Sequence, residues 1–130
     1  MNTLKIAIQK SGRLHDESIQ ILKDCGISVY NGNDQLKVTA SNFPLEVYYL
    51  RNSDIPQYLI DGVVDIAIVG DNLLVEKGQN IQIAEKLGFS KCKVSVAVPK
   101  NFNYNSIQDL NGLRVATSYP KTVVDYFSSK

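Results

Sequence analysis

The sequence predicts an α/β fold with a largely parallel sheet, and three observations carry this prediction. Short apolar runs rich in strand-forming residues alternate with segments of helical periodicity over residues 4–90. The connections between them are short, which favours strand–helix–strand units. The hydrophobic fraction of 44% is enough to build a globular core in a chain of 130 residues.

The first strand is predicted over residues 4–8, where the run LKIAI is apolar. A helix is then predicted from Leu14 to Cys25, ended by Gly26 as the residue that reverses the chain. The apolar stripe of this helix is expected to comprise Leu14, Ile19, Ile21, Leu22 and Cys25.

An antiparallel hairpin is predicted next, with strands over residues 27–30 and 36–40 joined by the turn NGND at 31–34. A further strand follows over residues 45–50, where LEVYYL suits a half-buried pleated surface.

Two more helices and two more strands complete the first part. A helix is predicted to begin at residues 52–54, with Pro56 in its first turn, and to run to Asp61. Its inward side chains are expected to be Ile55, Tyr58, Leu59 and Ile60. The elements that follow are a strand at 63–69 buried on both faces, a short helix from Leu73 to Gly78, and a strand at 81–87.

The organisation changes near Ser90, so a first α/β lobe is predicted over residues 1–90 and a second over 91–130. The second should contain strands at 91–99 and 113–116, a helical turn at 107–110 and a helix over 122–127. A piece of about 40 residues rarely buries a core alone. The chain is therefore expected to be a fragment, with an incomplete first lobe and a truncated second one.

The turn between the first strand and the first helix is the leading candidate site. It is formed by Gln9, Lys10, Ser11, Gly12 and Arg13. Backbone N–H groups and the helix dipole attract anions to a helix N-terminus, and the two basic side chains add whole charges. From the residues alone, two solvated charges beside a helix start are the alternative.

Two other polar clusters follow predicted strands, namely Arg51 and the run Gly70, Asp71 and Asn72. Ligands of open parallel sheets bind beyond the carboxyl ends of the strands, so these clusters are expected to meet the basic turn in one crevice. Alternatively, Arg51 pairs with Asp54, and Asp71 serves as the N-cap of the following helix.

Histidine, one aspartate and the two cysteines are expected to have structural roles. His15 is the single histidine and is expected to be a partly exposed residue of the first helical turn, with contact to a phosphate as the alternative. Asp65 lies among apolar neighbours and is expected to be a structural partner. Cys25 and Cys92 have no partner at metal-ligand spacing, so both are expected to be buried thiols and no metal site is predicted.

Charge and hydropathy exclude two function classes. The net charge is +1, from 14 basic and 13 acidic residues, which argues against a nucleic-acid binder. No apolar stretch approaches the roughly 20 residues that a membrane span needs. The sequence moves from Met1 directly into a strand without a secretory signal, so a cytoplasmic location is expected.

Five motifs occur in a fixed order along the chain: AIQKSGRL at 7–14, DIP at 54–56, DGVVDIAIVGDN at 61–72, LGFSKCKVSVAVP at 87–99 and DLNGLRVATSYP at 109–120. Together they resemble the ATP phosphoribosyltransferases, which open histidine biosynthesis. The resemblance implies a two-lobed fold like that of type II periplasmic binding proteins. This chain would supply the first lobe and the beginning of the second.

The resemblance also implies the chemistry. Such enzymes join N1 of the adenine of ATP to C1 of the ribose of phosphoribosyl pyrophosphate, with Mg²⁺ carried by the substrate. It further implies a homo-oligomer and AMP as an inhibitor. Lys10 and Arg13 would act catalytically by binding phosphates, with Gln9, Ser11 and Gly12 completing the turn.

The remaining substrate contacts are implied in the same way. Arg51 would add charge across the crevice, while Asp71, between Gly70 and Asn72, would bind a ribose hydroxyl, the adenine amine or Mg²⁺ through water. Thr117, Ser118 and Tyr119 would form the wall of the second lobe, with Tyr119 able to stack on a base. The alternative is that Tyr119 only packs the turn before Pro120.

The sequence departs from the family pattern at two places. No stretch resembles the acidic, Gly- and Ala-rich loop that binds phosphoribosyl pyrophosphate, so the chain alone is expected to be inactive. Gln35 stands where the family often has an arginine, and Lys37 is the nearest basic substitute. An intracellular two-lobed module that senses a small ligand without catalysis is the alternative function.

Overall fold

The first strand, β1 (Leu4–Gln9), lies inside a four-stranded sheet between β3 (Leu45–Leu50) and β4 (Ile66–Ala67). Both neighbours run parallel to β1, and β2 (Lys37–Thr39) pairs antiparallel with β3 at the edge. The α/β class predicted from the alternation is therefore confirmed, with a mixed sheet.

The structure is a computed structural model that describes residues 2–30, 35–78, 80–91 and 93–130. Contacts divide the chain into two units, Met1–Lys91 and Cys92–Lys130. Among the described residues, no helix combines the length and the apolarity needed to cross a membrane.

Helices cover both faces of the sheet in the first unit. On one face, α1 (Arg13–Asp24) packs through Leu22 against Ile6, Ile8 and Val47. On the other face, α2 (Ile55–Ile60) packs through Ile55 against Ala7, Leu50 and Val64. Successive residues of β1 thus point into two different cores, as the alternation of a strand requires.

Helix α1 ends as predicted but buries a different stripe. Gly26 has φ +77°, and its N–H donates to the Lys23 carbonyl at 2.9 Å while the Ile27 N–H donates to the Leu22 carbonyl at 2.9 Å. This pair of bonds is a Schellman motif. The buried residues of the helix are His15, Ser18 and Leu22, and Cys25 is exposed, so the prediction of a buried Cys25 was wrong. Cys92 lies outside the described residues.

The predicted hairpin is also wrong in its pairing. Residues 27–30 form no strand, and β2 pairs with β3 instead. Asn42 ties the segment down, because its side chain accepts from the Ser28 N–H at 2.8 Å and donates to the Gly26 carbonyl at 2.7 Å. The predicted turn at 31–34 lies outside the described residues.

The segment after β3 contains both predicted helices. A 3₁₀ turn at Asn52–Asp54 leads into α2, and α3 (Asp71–Lys77) begins two residues before the predicted start. Ile60 is 50% exposed, so the prediction that it points inward was wrong. The predicted strand at 63–69 shrinks to the two residues of β4, at the edge of the sheet. Ile66 is 43% exposed, so the strand is not buried on both faces as predicted.

Asp65 is a structural partner, as predicted. Its carboxylate accepts the Lys5 N–H at 2.9 Å, and its own N–H donates to the Lys5 carbonyl at 2.8 Å. These two bonds attach the start of β4 to β1, where the ladder has only two residue pairs.

Residues 80–91 form no strand, so the strand predicted at 81–87 is wrong. Near the end of this segment, the Ser90 hydroxyl donates to the Glu17 carboxylate at 2.9 Å and so attaches the segment to α1. An extended chain becomes a strand only when another strand offers it hydrogen bonds, and none does so here among the described residues.

The second unit contains a 3₁₀ turn at Ile107–Leu110 and α4 (Pro120–Ser128), which confirms the predicted turn and helix. The Asp109 carboxylate accepts the N–H groups of Asn105 and Ser106 at 2.8 and 3.1 Å, and these bonds lower the pKa of Asp109. The strands predicted at 91–99 and 113–116 are wrong, since the described residues of both segments belong to no strand.

Candidate functional site

The basic turn is fixed to the neighbouring strand where it begins. Gln9 ends β1 in register with Leu50, the last residue of β3. One residue later, the Lys10 N–H donates to the Leu50 carbonyl at 2.9 Å. The turn therefore starts at the carboxyl edge of the sheet, beside the end of β3.

Gly12 gives the turn a conformation that other residues avoid. It occupies the N-cap position of α1 with φ +91° and ψ −173°. A Cβ there would lie 3.6 Å from the Gln9 side-chain amide, so backbone conformation rather than space is what demands glycine. Lys10, Ser11 and Arg13 are exposed around it, which leaves both charges available at the helix start.

Arg51 directly follows β3 and is exposed. Its carbonyl accepts the Asp54 N–H at 2.9 Å within the 3₁₀ turn. Between these two described residues there is a backbone contact and no ion pair, so the alternative that Arg51 pairs with Asp54 was wrong.

The third turn follows β4. Gly70 holds the N-cap position of α3 and Asp71 is its first residue, so the alternative that Asp71 is the N-cap was wrong. A Cβ on Gly70 would meet the Asn72 Oδ1 at 2.6 Å, so the Asn72 side chain would have to shift to admit it. Asp71 is exposed, while Asn72 is half-buried.

The sheet topology brings these three turns to the same edge. Because β3, β1 and β4 are parallel neighbours, the chain leaves each of them on the same side. Lys10, Arg13 and Arg51 supply three positive charges there, and Asp71 supplies a carboxylate. Such an edge suits a multiply charged anion that also carries hydroxyl or amine groups.

The residues predicted for the second lobe lie in the second unit. Thr117 Oγ1 accepts the Tyr119 N–H at 2.9 Å, and Tyr119 holds the N-cap position of α4. Thr117 and Ser118 are exposed, whereas Tyr119 is half-buried. Their part in binding stays a prediction.

Sequence reasoning missed the setting of His15. The side chain is 7% exposed, so the prediction of a partly exposed residue was wrong. Its Nδ1 lies 2.9 Å from the Gln9 carbonyl oxygen, and its ring packs against Tyr49 with centroids 5.6 Å apart. The burial of His15 could have been predicted from the sequence, because residues 15, 18 and 22 have the spacing of one helix face.

Two further features lie away from the three turns. Lys37 Nζ lies 3.3 Å from the Glu46 carboxylate and 6.0 Å from the Tyr48 ring centre, so its charge is engaged locally. A cavity of about 450 Å³ opens beside α2. Its lining shares no residue with the three turns, and comprises Ser53, Asp54, Pro56, Gln57, Tyr58, Ile60 and Lys77.

Replacing Gly12 by alanine is expected to lower the free energy of unfolding by about 1–3 kcal/mol and to weaken the binding of inorganic tripolyphosphate. The cause is the glycine-only backbone conformation at the start of α1. Chemical denaturation and titration calorimetry measure the two effects.

Gly26→Ala is the matched control, because Gly26 also has a positive φ but lies at the other end of α1 with open space around it. It should cost about 1–2 kcal/mol of stability and leave tripolyphosphate binding unchanged. Equal binding by wild type and Gly12→Ala would contradict the role given to the turn.

Comparison with known proteins identifies what this chain resembles. Residues 51–130, more than half of the chain, match the family model described as HisG: ATP phosphoribosyltransferase. The ATP phosphoribosyltransferase of Cytophaga hutchinsonii is 52% identical over 123 residues, which are 95% of this chain and 43% of that protein. The ATP phosphoribosyltransferase of Parabacteroides distasonis is 43% identical over 98% of this chain and 45% of its own length.

A solved structure is also similar. The ATP phosphoribosyl transferase (HisG:HisZ) complex from Thermotoga maritima matches with a TM-score of 0.50 and 30% identity, over 58% of this chain and 36% of that one. The chain thus spans less than half the length of the curated relatives it matches.

Proposed function

The chain belongs to the ATP phosphoribosyltransferase family, and we propose that the protein it forms part of joins N1 of the adenine of ATP to C1 of the ribose of phosphoribosyl pyrophosphate. The N1–C1 bond forms as the bond from C1 to the pyrophosphate oxygen breaks, and pyrophosphate leaves with that electron pair. This reaction would begin histidine biosynthesis in the cytoplasm. The observation that carries the proposal is the basic turn at residues 9–13, anchored at the carboxyl edge of the sheet.

Such a displacement passes through an oxocarbenium-like state, and it depends on positioning and on neutralising polyphosphate charge. Adenine N1 is already nucleophilic, so no strong base is required. Lys10 would act as a point charge and Arg13 as a two-pronged donor to phosphate oxygens. Arg51 would add a third charge from the neighbouring turn.

Asp71 and Asn72 would select the nucleoside. A carboxylate accepts hydrogen bonds from a ribose hydroxyl or from the adenine amine, and Asp71 is exposed at the start of α3. We further propose a two-lobed fold of the type II periplasmic-binding-protein kind. Residues 1–90 would form part of the first lobe, and residues 91–130 would begin the second. Thr117, Ser118 and Tyr119 would be the substrate contacts of the second lobe, where the Tyr119 ring can stack on a base.

Mg²⁺ would neutralise polyphosphate charge when it arrives with the substrate. The described residues hold no group of three or more His, Cys, Asp or Glu side chains that could bind a metal ion by themselves. Homo-oligomeric assembly and inhibition by AMP complete the proposal.

Titration calorimetry on the complete protein tests the function class. We expect ATP, AMP and phosphoribosyl pyrophosphate each to bind. The sensing module without catalysis would instead bind an amino acid or an inorganic anion in preference to adenine nucleotides, and that result would contradict the proposal.

The isolated chain of residues 1–130 is expected to form no phosphoribosyl-ATP, because it spans only 43–45% of the relatives' length. An absorbance assay of product formation, with the complete protein as the positive control, measures this. Turnover by the isolated chain would contradict the assignment of catalytic groups to the remainder of the protein.

A further inference from the structure

His15 connects the basic turn to the helix that follows it. The imidazole is 7% exposed, and Nδ1 lies 2.9 Å from the backbone carbonyl oxygen of Gln9. A carbonyl oxygen only accepts hydrogen bonds, so Nδ1 must carry a proton and donate it. The side chain therefore reaches back across the turn from the third residue of α1.

At Gln9, β1 no longer has β4 as a hydrogen-bonded neighbour. The ladder between β1 and β4 stops at the pair Ala7 and Ala67, followed by the bond from the Ile68 N–H to the Ala7 carbonyl. A carbonyl left without a partner in the interior is costly. The His15 bond supplies that partner through a side chain.

The imidazole also packs against an aromatic side chain of β3. The Tyr49 ring lies 5.6 Å away at an angle of 48°, and Tyr49 is only 4% exposed. Burial raises the pKa of the Tyr49 hydroxyl. Because Tyr49 precedes Leu50, which accepts the Lys10 N–H, the same few residues of β3 support both the imidazole and the turn.

We propose that His15 is the positioning residue of the anion site, holding residues 10–13 in the conformation that presents the N–H groups of residues 11–13 and the charges of Lys10 and Arg13 to phosphate. The turn is then fixed at the Lys10 N–H by Leu50, at the Gln9 carbonyl by His15, and at Gly12 by the bond from the Asp16 N–H at 3.1 Å. His15 acts through the backbone of Gln9 and does not touch the substrate. This inference rests on the proposed function.

Two substitutions in the complete protein separate the hydrogen bond from the packing. His15→Asn keeps an N–H donor near the position of Nδ1, and His15→Phe keeps a ring against Tyr49 but loses the donor. By calorimetry, His15→Phe should raise the Kd for ATP about tenfold, while His15→Asn should stay within about threefold of wild type. The KM for ATP should follow Kd, with a smaller change in kcat.

The imidazole nitrogens give a readout that does not depend on the variants. A ¹⁵N spectrum of the wild-type protein should show Nδ1 protonated, and an unprotonated Nδ1 would overturn the inference. Equal ATP affinity for His15→Phe and wild type, or equal weakening of both variants, would overturn it as well. If the wild-type protein binds no ATP, the proposed function itself fails, which is a different result from a His15→Phe variant that binds as well as wild type.

Discussion

Replacing Arg13 by alanine is expected to lower kcat/KM for the phosphoribosyl transfer about 100-fold in the complete protein. Arg13 is the first residue of α1 and is exposed at the edge where the three turns meet. A charge-assisted bond to phosphate contributes about 1.5–3 kcal/mol, and an arginine fork supplies two parallel bonds. Steady-state kinetics with ATP varied at saturating phosphoribosyl pyrophosphate measures the loss.

Arg13→Lys separates charge from geometry, because it retains the positive charge but loses the planar fork. It should lose about tenfold in kcat/KM. The control is Lys23→Ala, which removes a charge from the last turn of the same helix, and it should leave the kinetics unchanged. If Arg13→Ala and Lys23→Ala had equal effects, the loss would reflect net charge and the site would have to lie elsewhere. The free energy of unfolding should change by less than about 0.5 kcal/mol in all three variants.

Elements whose signal is local could be predicted from the sequence. The apolar run of β1, the amphipathic pattern of α1 with Gly26 after it, and the aromatic run of β3 each describe a segment without reference to distant residues. The edge where the turns meet could also be predicted, since parallel strands joined by helices must all end on the same side.

The failed strand predictions share a physical cause. Val94, Val96 and Val98 alternate as a strand would, yet they are 55%, 54% and 36% exposed. Alternation states which side chains share a face, but a strand also needs a partner that offers hydrogen bonds. The partner strand comes from a distant part of the sequence, so the pattern within residues 93–99 cannot show whether one is present.

The environment of His15 was missed for a different reason. The apolar stripe was assigned by hydrophobicity, which favoured residues such as Leu14 and Ile21 over His15 and Ser18. The structure buries the two polar residues because each finds a carbonyl within reach, Gln9 for His15 and Leu14 for Ser18, at 2.9 and 2.6 Å. Polar residues that can be satisfied locally are compatible with a helix face that packs on a sheet.

The second large effect is expected from Ile55→Ala, which should lower the free energy of unfolding by about 2–5 kcal/mol. Ile55 is 0% exposed and is the contact of α2 with Ala7 and Leu50 on the sheet. The substitution removes three carbon atoms from a close-packed site and leaves a cavity that the short helix α2 fills only in part. Guanidinium or urea denaturation, with the slope compared between variants, measures the change.

Ile60→Ala is the matched control, since it makes the same substitution on the same helix at a side chain that is 50% exposed. It should cost less than about 0.5 kcal/mol. Comparable losses for the two variants would mean that α2 does not pack on the sheet through Ile55. Because Leu50 also accepts the Lys10 N–H, Ile55→Ala should in addition loosen the basic turn and weaken ATP binding, an effect that Ile60→Ala should lack.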